Sequence, residues 1–299
     1  MKKIDKPKFC VKDVINNHYR HFNGFGVNIK DMTYYLSEKE IYYDEVASKG
    51  QLYTIEGSNH NEFYDKEKIS NSFDYIYSSK GKYRGEIENS SNYICPICGS
   101  KYGFGTMELD HVLPRSLYCD YTIIPLNIVP ICSSCNNSKN AFVGNEKQGI
   151  LSPYYDHYNL ADLIEMDVFV KGEKIEINID LVDYNKYIRI NNICDNEDNL
   201  TKYNYIKNHF NIHKIKETLE LKSNGVLVSN IVSVASNCMK AYNNMEFDEK
   251  FLAEMMSRFC LNEINEELLK NMIIDSTLNS DDKENIINIL KNMMLKIES

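Results

Sequence analysis

Tryptophan is absent from the 299 residues, proline occurs only six times, and no apolar run reaches the roughly eighteen residues of a membrane span. The basic start, MKKIDKPKFC, lacks the apolar stretch of a secretion signal. These absences leave no membrane partner and make a cytoplasmic location the expectation. Positive charge is also short. The chain carries a net −9, so the basic footprint of most nucleic-acid binders is missing. The deficit lies towards the C-terminus: residues 1–90 are balanced, 91–160 carry −1 and 161–299 carry −8. A polyanionic partner must be met by a local patch, the N-terminal part, metal ions or a second protein. Nine cysteines, an odd number, argue against a disulfide framework, and Cys10, Cys119, Cys194, Cys238 and Cys260 read as reduced thiols. Gly103-Phe104-Gly105 is followed by no Gly-Lys-Ser/Thr, so no nucleotide-binding loop or ATPase signature is expected.

What is present is ordinary globular composition, 43% hydrophobic and 26% charged, in a chain long enough for two domains or one with large appendages. Composition divides it into residues 1–90, 91–160 and 161–299. The first part mixes apolar and polar residues without a long clean period. Short helices are expected in DVINNHYRHF and EKEIYYDEVASKGQLY, and turns in GSNHNEFYDKEKISNSF. The second holds five of the six prolines and two CxxC pairs, marking a compact, turn-rich module. In the third, alternation from Val168 and Val170 through Ile175, Ile177, Ile179 and Leu181 predicts a hairpin turning near Lys171-Gly172-Glu173. Helical spacing follows, in YNYIKNHFNIHKIKETLEL, VLVSNIVSVASNCMKAY and EKFLAEMMSRFCL. The last helix should start at Asp281-Asp282 and turn Ile286, Ile289, Leu290, Met293 and Ile297 to one face.

The two CxxC pairs are Cys95-Pro96-Ile97-Cys98 and Cys132-Ser133-Ser134-Cys135, separated by 33 residues. Each CxxC turn presents two sulfurs to one ion, and two turns complete a closed tetrahedral shell. Gly99 permits the tight backbone turn this requires. Such a shell has no vacant position for activating water, so the zinc it suits is structural. A redox CxxC pair or an iron–sulfur centre fits the doubled spacing less well.

The insert between the pairs contains Glu108-Leu109-Asp110-His111-Val112-Leu113-Pro114-Arg115-Ser116. Asp110 offers hard oxygen to Mg²⁺ or Mn²⁺, and His111 beside it can act as a general base. Asn127 precedes the second pair, and Asn136 follows it at the opening of an expected short helix, NNSKNAF. A carboxylate and an amide oxygen holding a divalent ion, beside an imidazole, suffice for metal-assisted phosphodiester hydrolysis.

With CPICG, DHVLPRS, NIVPICSSCNNSK and PYYD in this order, the segment Cys95–His157 resembles the HNH (ββα-metal, His-Me finger) endonucleases. The likeness is closest to a zinc-stapled bacterial branch reading CPxCG…DHxLPKS…NLVPxCxxCNxxK…PYFD. The resemblance implies roles for individual residues. His111 would be the water-activating base, and Asp110 and Asn136 the ligands of Mg²⁺ or Mn²⁺. Asn127 would hold the loop bearing the base, and Arg115 and Lys139 would meet phosphate. Many relatives carry histidine where this chain has Asn136, making it an H-N-N variant, and the histidine of their HPYFD is Ser152 here. A packing role is expected for that segment. The implied fold is α+β: a small ββα-metal module, with strands carrying Asp110–His111 and Asn127 and a Cys₄ zinc site. A mixed N-terminal segment and a mainly helical C-terminal region would flank it. The implied activity is metal-dependent endonuclease action, on DNA foremost, in phage defence or restriction, with an ATPase as a conceivable partner. The competing class is a non-catalytic, zinc-stabilised nucleic-acid-binding or assembly module.

Other histidines carry less. His209 and His213 stand four residues apart on an expected helix, but no HExxH pattern or third ligand accompanies them. An exposed or partly packed pair is expected. Cys119 reads as a small apolar filler.

Overall fold

The computed structural model describes residues 1–58, 61–79, 81–101, 107–241, 246–258 and 264–298; Gly103-Phe104-Gly105 and Cys260 lie outside them. In chain order the elements are α1 (Val11–Asn17), α2 (Tyr19–Asn23), α3 (Ile29–Ser48), α4 (Lys66–Ile76), α5 (Lys82–Ser90), β1 (Met107–His111), β2 (Ile128–Cys132) and α6 (Ser133–Lys139). They continue with β3 (Ile164–Lys171), β4 (Lys174–Leu181), α7 (Tyr184–Asn191), α8 (Glu197–Ile212) and α9 (Ile215–Val226). The last are α10 (Ser233–Ala241), α11 (Glu249–Arg258), α12 (Ile264–Asn279) and α13 (Lys283–Glu298). Two small antiparallel sheets among helices make this the expected α+β class. No helix among the described residues is long and apolar enough to cross a membrane.

One compact unit comprises Met1–Asn159 together with Asn192–Lys214. Its helices form because apolar positions recur at helical spacing. On α3, Met32, Leu36, Tyr43, Val46 and Ala47 are buried along one stripe, and Asn28 caps the start by accepting from the Lys30 amide at 3.0 Å. The turn-rich reading of residues 57–73 fails in its second half. Asp65 accepts from the Lys68 amide at 2.8 Å, and from this cap α4 turns Ile69 and Ile76 inward. Val14, Ile15, Phe22, Met32 and Leu36 share one hydrophobic core with Leu113, Ile123, Ile124 and Ile128. The N-terminal helices therefore supply the apolar bed on which the segment between β1 and β2 lies.

In that unit β1 and β2 pair antiparallel, with Asp110 opposite Val129 and His111 opposite Ile128. Asn127 ends a 3₁₀ turn immediately before β2 rather than lying in a strand. The following helix starts at Ser133, inside the second CxxC, so Asn136 sits within it and does not open it.

The other unit comprises Leu160–Asn191 and Ile215–Ser299. Its hairpin pairs Lys171 with Lys174 across Gly172-Glu173, and Gly172 takes φ +65°, which its missing Cβ permits. Ile164, Met166, Val168, Ile177 and Ile179 point to the buried face. The expected helix spanning YNYIKNHFNIHKIKETLEL is two helices, because Lys214 between α8 and α9 adopts φ +48°. On α13 the buried positions are Ile286, Ile287, Leu290 and Met294; Ile289 and Met293 are half-buried at the edge of that face.

Candidate metal and catalytic centre

The first CxxC turns tightly: the Gly99 amide donates to the Cys95 carbonyl at 2.8 Å, and Gly99 itself has φ +69°. The second spans the end of β2 and the first turn of α6. Together they bring the sulfurs of Cys95, Cys98, Cys132 and Cys135 within 4.8 Å of one another. The Cys98 and Cys132 sulfurs are 3.8 Å apart. Zn–S bonds of about 2.3 Å give a tetrahedron whose edge is also about 3.8 Å. Four thiols in this volume, three of them buried, fit a tetrahedral soft cation such as Zn²⁺ by both donor chemistry and spacing.

His111 closes β1 and is only 5% exposed. Its Nε2 lies 2.9 Å from the Thr122 carbonyl, which can only accept, so Nε2 carries the proton and Nδ1 is the basic atom. The Phe73 ring, 4.4 Å from the imidazole between centroids, packs against it. Burial pushes the imidazole down to about 3, which leaves it neutral near pH 7.

Asn127 is fully buried and spends its whole amide on backbone. Its Oδ1 accepts from the Leu113 amide at 2.7 Å, and its Nδ2 donates to the Leu113 and Tyr121 carbonyls at 3.1 Å each. The loop after His111 is thus tied by one side chain. Further ties come from Tyr77 Oη to the Ile123 carbonyl at 3.1 Å and Tyr154 Oη to the Ile128 carbonyl at 2.6 Å. Asp120, buried in the same loop, accepts from Tyr35 Oη at 2.8 Å, Asn61 Nδ2 at 2.7 Å and Tyr64 Oη at 3.3 Å.

Strand alternation sends Glu108 and Asp110 to one face of β1, where α6 packs. Asp110 Oδ2 is buried and ion-paired with the Lys139 ammonium at 3.0 Å. The ammonium, with three N–H groups, also donates to the His111 carbonyl at 2.6 Å, and its charge offsets that of the carboxylate. Burial raises the Asp110 carboxyl against the pull of Lys139. A buried carboxylate of this kind retains lone pairs that a hard cation can share. Lys139 itself, expected to face phosphate, is only 6% exposed. Its charge serves the inside of the module.

Glu108, which motif reading passes over, accepts from Asn136 Nδ2 at 2.6 Å. A carboxylate can only accept, so this bond fixes the amide orientation and leaves Oδ1 as the oxygen with no partner inside the cluster. The available signal was the two-residue spacing from Asp110 on a strand. Arg115 remains at the surface, 41% exposed, with its guanidinium 5.3 Å above Phe73 and paired with the more exposed Asp74 at 3.1 Å. Such an exposed pair is weak and exchangeable. The Phe73 ring therefore touches both His111 and Arg115.

The histidine pair departs from expectation. His209 and His213 are 1% and 3% exposed, and His213 Nδ1 lies 3.1 Å from the Cys135 carbonyl. His213 buttresses the second CxxC and His209 packs on His213, their ring centroids 4.5 Å apart, because residues 192–214 complete this unit. Cys119 is buried, as a filler should be. Ser152-Pro153-Tyr154-Tyr155-Asp156 packs, with Tyr155 Oη on Asp44 at 2.7 Å and Asp156 accepting from the Ser152 amide at 2.9 Å.

Residues 95–142 match the family model described as HNH endonuclease. Protein ea31 of Escherichia phage lambda is 27% identical over 172 residues, covering 52% of this chain and 57% of that protein. The chain thus spans little more than half the length of that curated relative. No solved structure matches the chain.

Replacing one thiol tests the clip directly. Cys132→Ser should lose stoichiometric zinc, read by elemental analysis of the purified chain, and lower the unfolding midpoint. Full zinc retention would contradict the four-sulfur assignment.

Proposed function

We propose that the chain, carrying an HNH endonuclease domain at residues 95–142, is a metal-dependent nuclease that hydrolyses phosphodiester bonds. The observation that supports it most is the tautomer imposed on His111, next in the chain to a buried carboxylate. His111 presents a neutral Nδ1 because Nε2 is committed to Thr122, and Asp110 carries a buried carboxylate ion-paired with Lys139. The proposed substrate is DNA and the proposed setting phage defence or restriction, both following from the resemblance alone.

Asp110 and the Asn136 amide oxygen are the residues that would hold Mg²⁺ or Mn²⁺. When bound, that ion supplies positive charge to the scissile phosphate and the leaving oxygen. His111 takes a proton from water at Nδ1 as the water oxygen bonds to phosphorus and the bond to the leaving oxygen breaks. Thr122 holds the ring through Nε2 and stabilises the imidazolium that forms. Asn127 keeps the loop, and hence Thr122, in register with β1. Lys139 fixes the Asp110–His111 segment through the His111 carbonyl and offsets the Asp110 charge. Arg115, exposed and weakly paired, would contact phosphate.

Glu108 would then act as a positioning residue, presenting Asn136 Oδ1 to the cation. Glu108→Leu should weaken Mn²⁺ binding by about tenfold or more, measured by calorimetry on the zinc-loaded chain, whereas Glu108→Gln, which still accepts, should stay close to wild type. Equal weakening by both variants would contradict the positioning role.

The activity itself is tested on plasmid with Mg²⁺ or Mn²⁺. Wild type should nick or cut, and His111→Ala with zinc retained should be slower by at least about a hundredfold. Equal cleavage by the two proteins would rule out His111 as the base. No cleavage by wild type would favour a zinc-stabilised binding module.

A further inference from the structure

α1, α2 and α3 bury one side each: Val11, Val14 and Ile15 on the first, Phe22 on the second, Met32 and Leu36 on the third. The residues left outside recur at helical spacing. Lys12, Asn16, Tyr19 and Asn23 follow one another across α1 and α2, and Lys30 and Tyr34 stand four apart on α3. These six line a groove of about 870 Å³.

Its chemistry is unlike the rest of the chain. In a protein of net charge −9, no carboxylate lines it. Its charged groups are Lys12 and Lys30, both exposed. Asn28 caps α3 at the groove edge, so the positive end of a 20-residue helix dipole adds to them. Tyr19 is 54% and Tyr34 70% exposed, so both present ring faces that the fold itself does not use. Asn16 and Asn23 supply amides that can donate to or accept from base edges.

We propose that this groove binds single-stranded nucleic acid, with bases stacked on Tyr19 and Tyr34 and phosphates met by Lys12 and Lys30. The proposal deepens the nuclease reading, on which it rests, by naming the form of nucleic acid the unit holds beside its catalytic centre. Two lysines release few counterions, too few to hold a duplex through its backbone alone. Exposed aromatic rings gain most from bases whose faces are free, and an unpaired strand offers them. The groove is also tied to the centre through α4. Phe73 packs on His111, and Tyr75, two residues on and 58% exposed, stacks on His21 of α2 at 4.7 Å and 13°. α2 thus carries the groove ring Tyr19 on one side and the His21–Tyr75 stack on another.

The test uses the full zinc-loaded chain with His111→Ala, so that nothing is cut, and fluorescence anisotropy of a labelled oligothymidylate of about sixteen nucleotides. A mixed-sequence duplex of the same length is the comparison. Single strand should bind more tightly than duplex, and Tyr19→Ala with Tyr34→Ala should weaken single-strand binding by about tenfold or more. Tyr19→Phe with Tyr34→Phe, which keeps the rings, should restore it. Both tyrosines are exposed, so unchanged thermal unfolding is expected of every variant and separates lost binding from lost fold. Unchanged single-strand affinity in the alanine variant, or duplex bound as tightly as single strand, would overturn the proposal. Cleavage of circular single-stranded DNA by wild type with Mg²⁺ or Mn²⁺ is scored separately. Ring-dependent binding without cleavage removes the nuclease reading and upholds the groove, whereas cleavage with ring-independent binding does the reverse.

Discussion

Seven residues do not make a stable helix in water, yet α6 carries the two side chains that face the acidic side of β1. Isolated helices need about twelve residues or more before propagation repays nucleation. Cys132 and Cys135 remove that difficulty by fixing the first turn of α6 to the Cys95–Cys98 turn, and the order of the centre depends on this constraint. With α6 pinned, Asn136 meets Glu108 and Lys139 meets Asp110, a pair of cross-links three residues apart on the helix and two apart on the strand. The clip does no chemistry on water. It sets the distance between a strand and a helix that share a polar interface.

A second constraint runs through the loop between the strands. Asn127, Tyr77, Tyr154 and the buried Asp120 tie residues 112–128 to their surroundings, and Thr122 of that loop orients the His111 ring. His111 is thereby held from both sides of its ring. Phe73 packs on it from α4, and the loop carbonyl takes its Nε2 proton. Because Leu113, Ile123, Ile124 and Ile128 share a core with α1–α3, the N-terminal helices are part of the support of the centre.

The local parts of this arrangement were legible in the sequence. Two CxxC pairs state their own geometry, Gly99 announces a positive φ, and the alternation after Val168 gives the hairpin with its turn at Gly172. Asp110-His111 and Asn127 stand out because their chemistry is unusual between two zinc-type turns. What the sequence did not show depends on facing elements. Glu108 gains meaning only when α6 lies on the same face of β1, and Lys139 turns inward because Asp110 and the His111 carbonyl lie within its reach. His209 and His213 are buried because residues 192–214 pack with residues 1–159, and a helical period cannot name the partner it packs against. The N-cap at Asp65 was hidden in a polar stretch whose apolar positions, Ile69 and Ile76, are a full two turns apart.

In the proposed reading, β1 and α6 frame a site for one hard cation and His111 is the base. Mn²⁺ binding to the zinc-loaded chain, followed by the loss of the free-ion paramagnetic resonance signal, tests it without any cleavage. The account predicts one Mn²⁺ per wild-type chain and none in Asp110→Ala with its zinc content unchanged. Equal Mn²⁺ binding by the two proteins would contradict it.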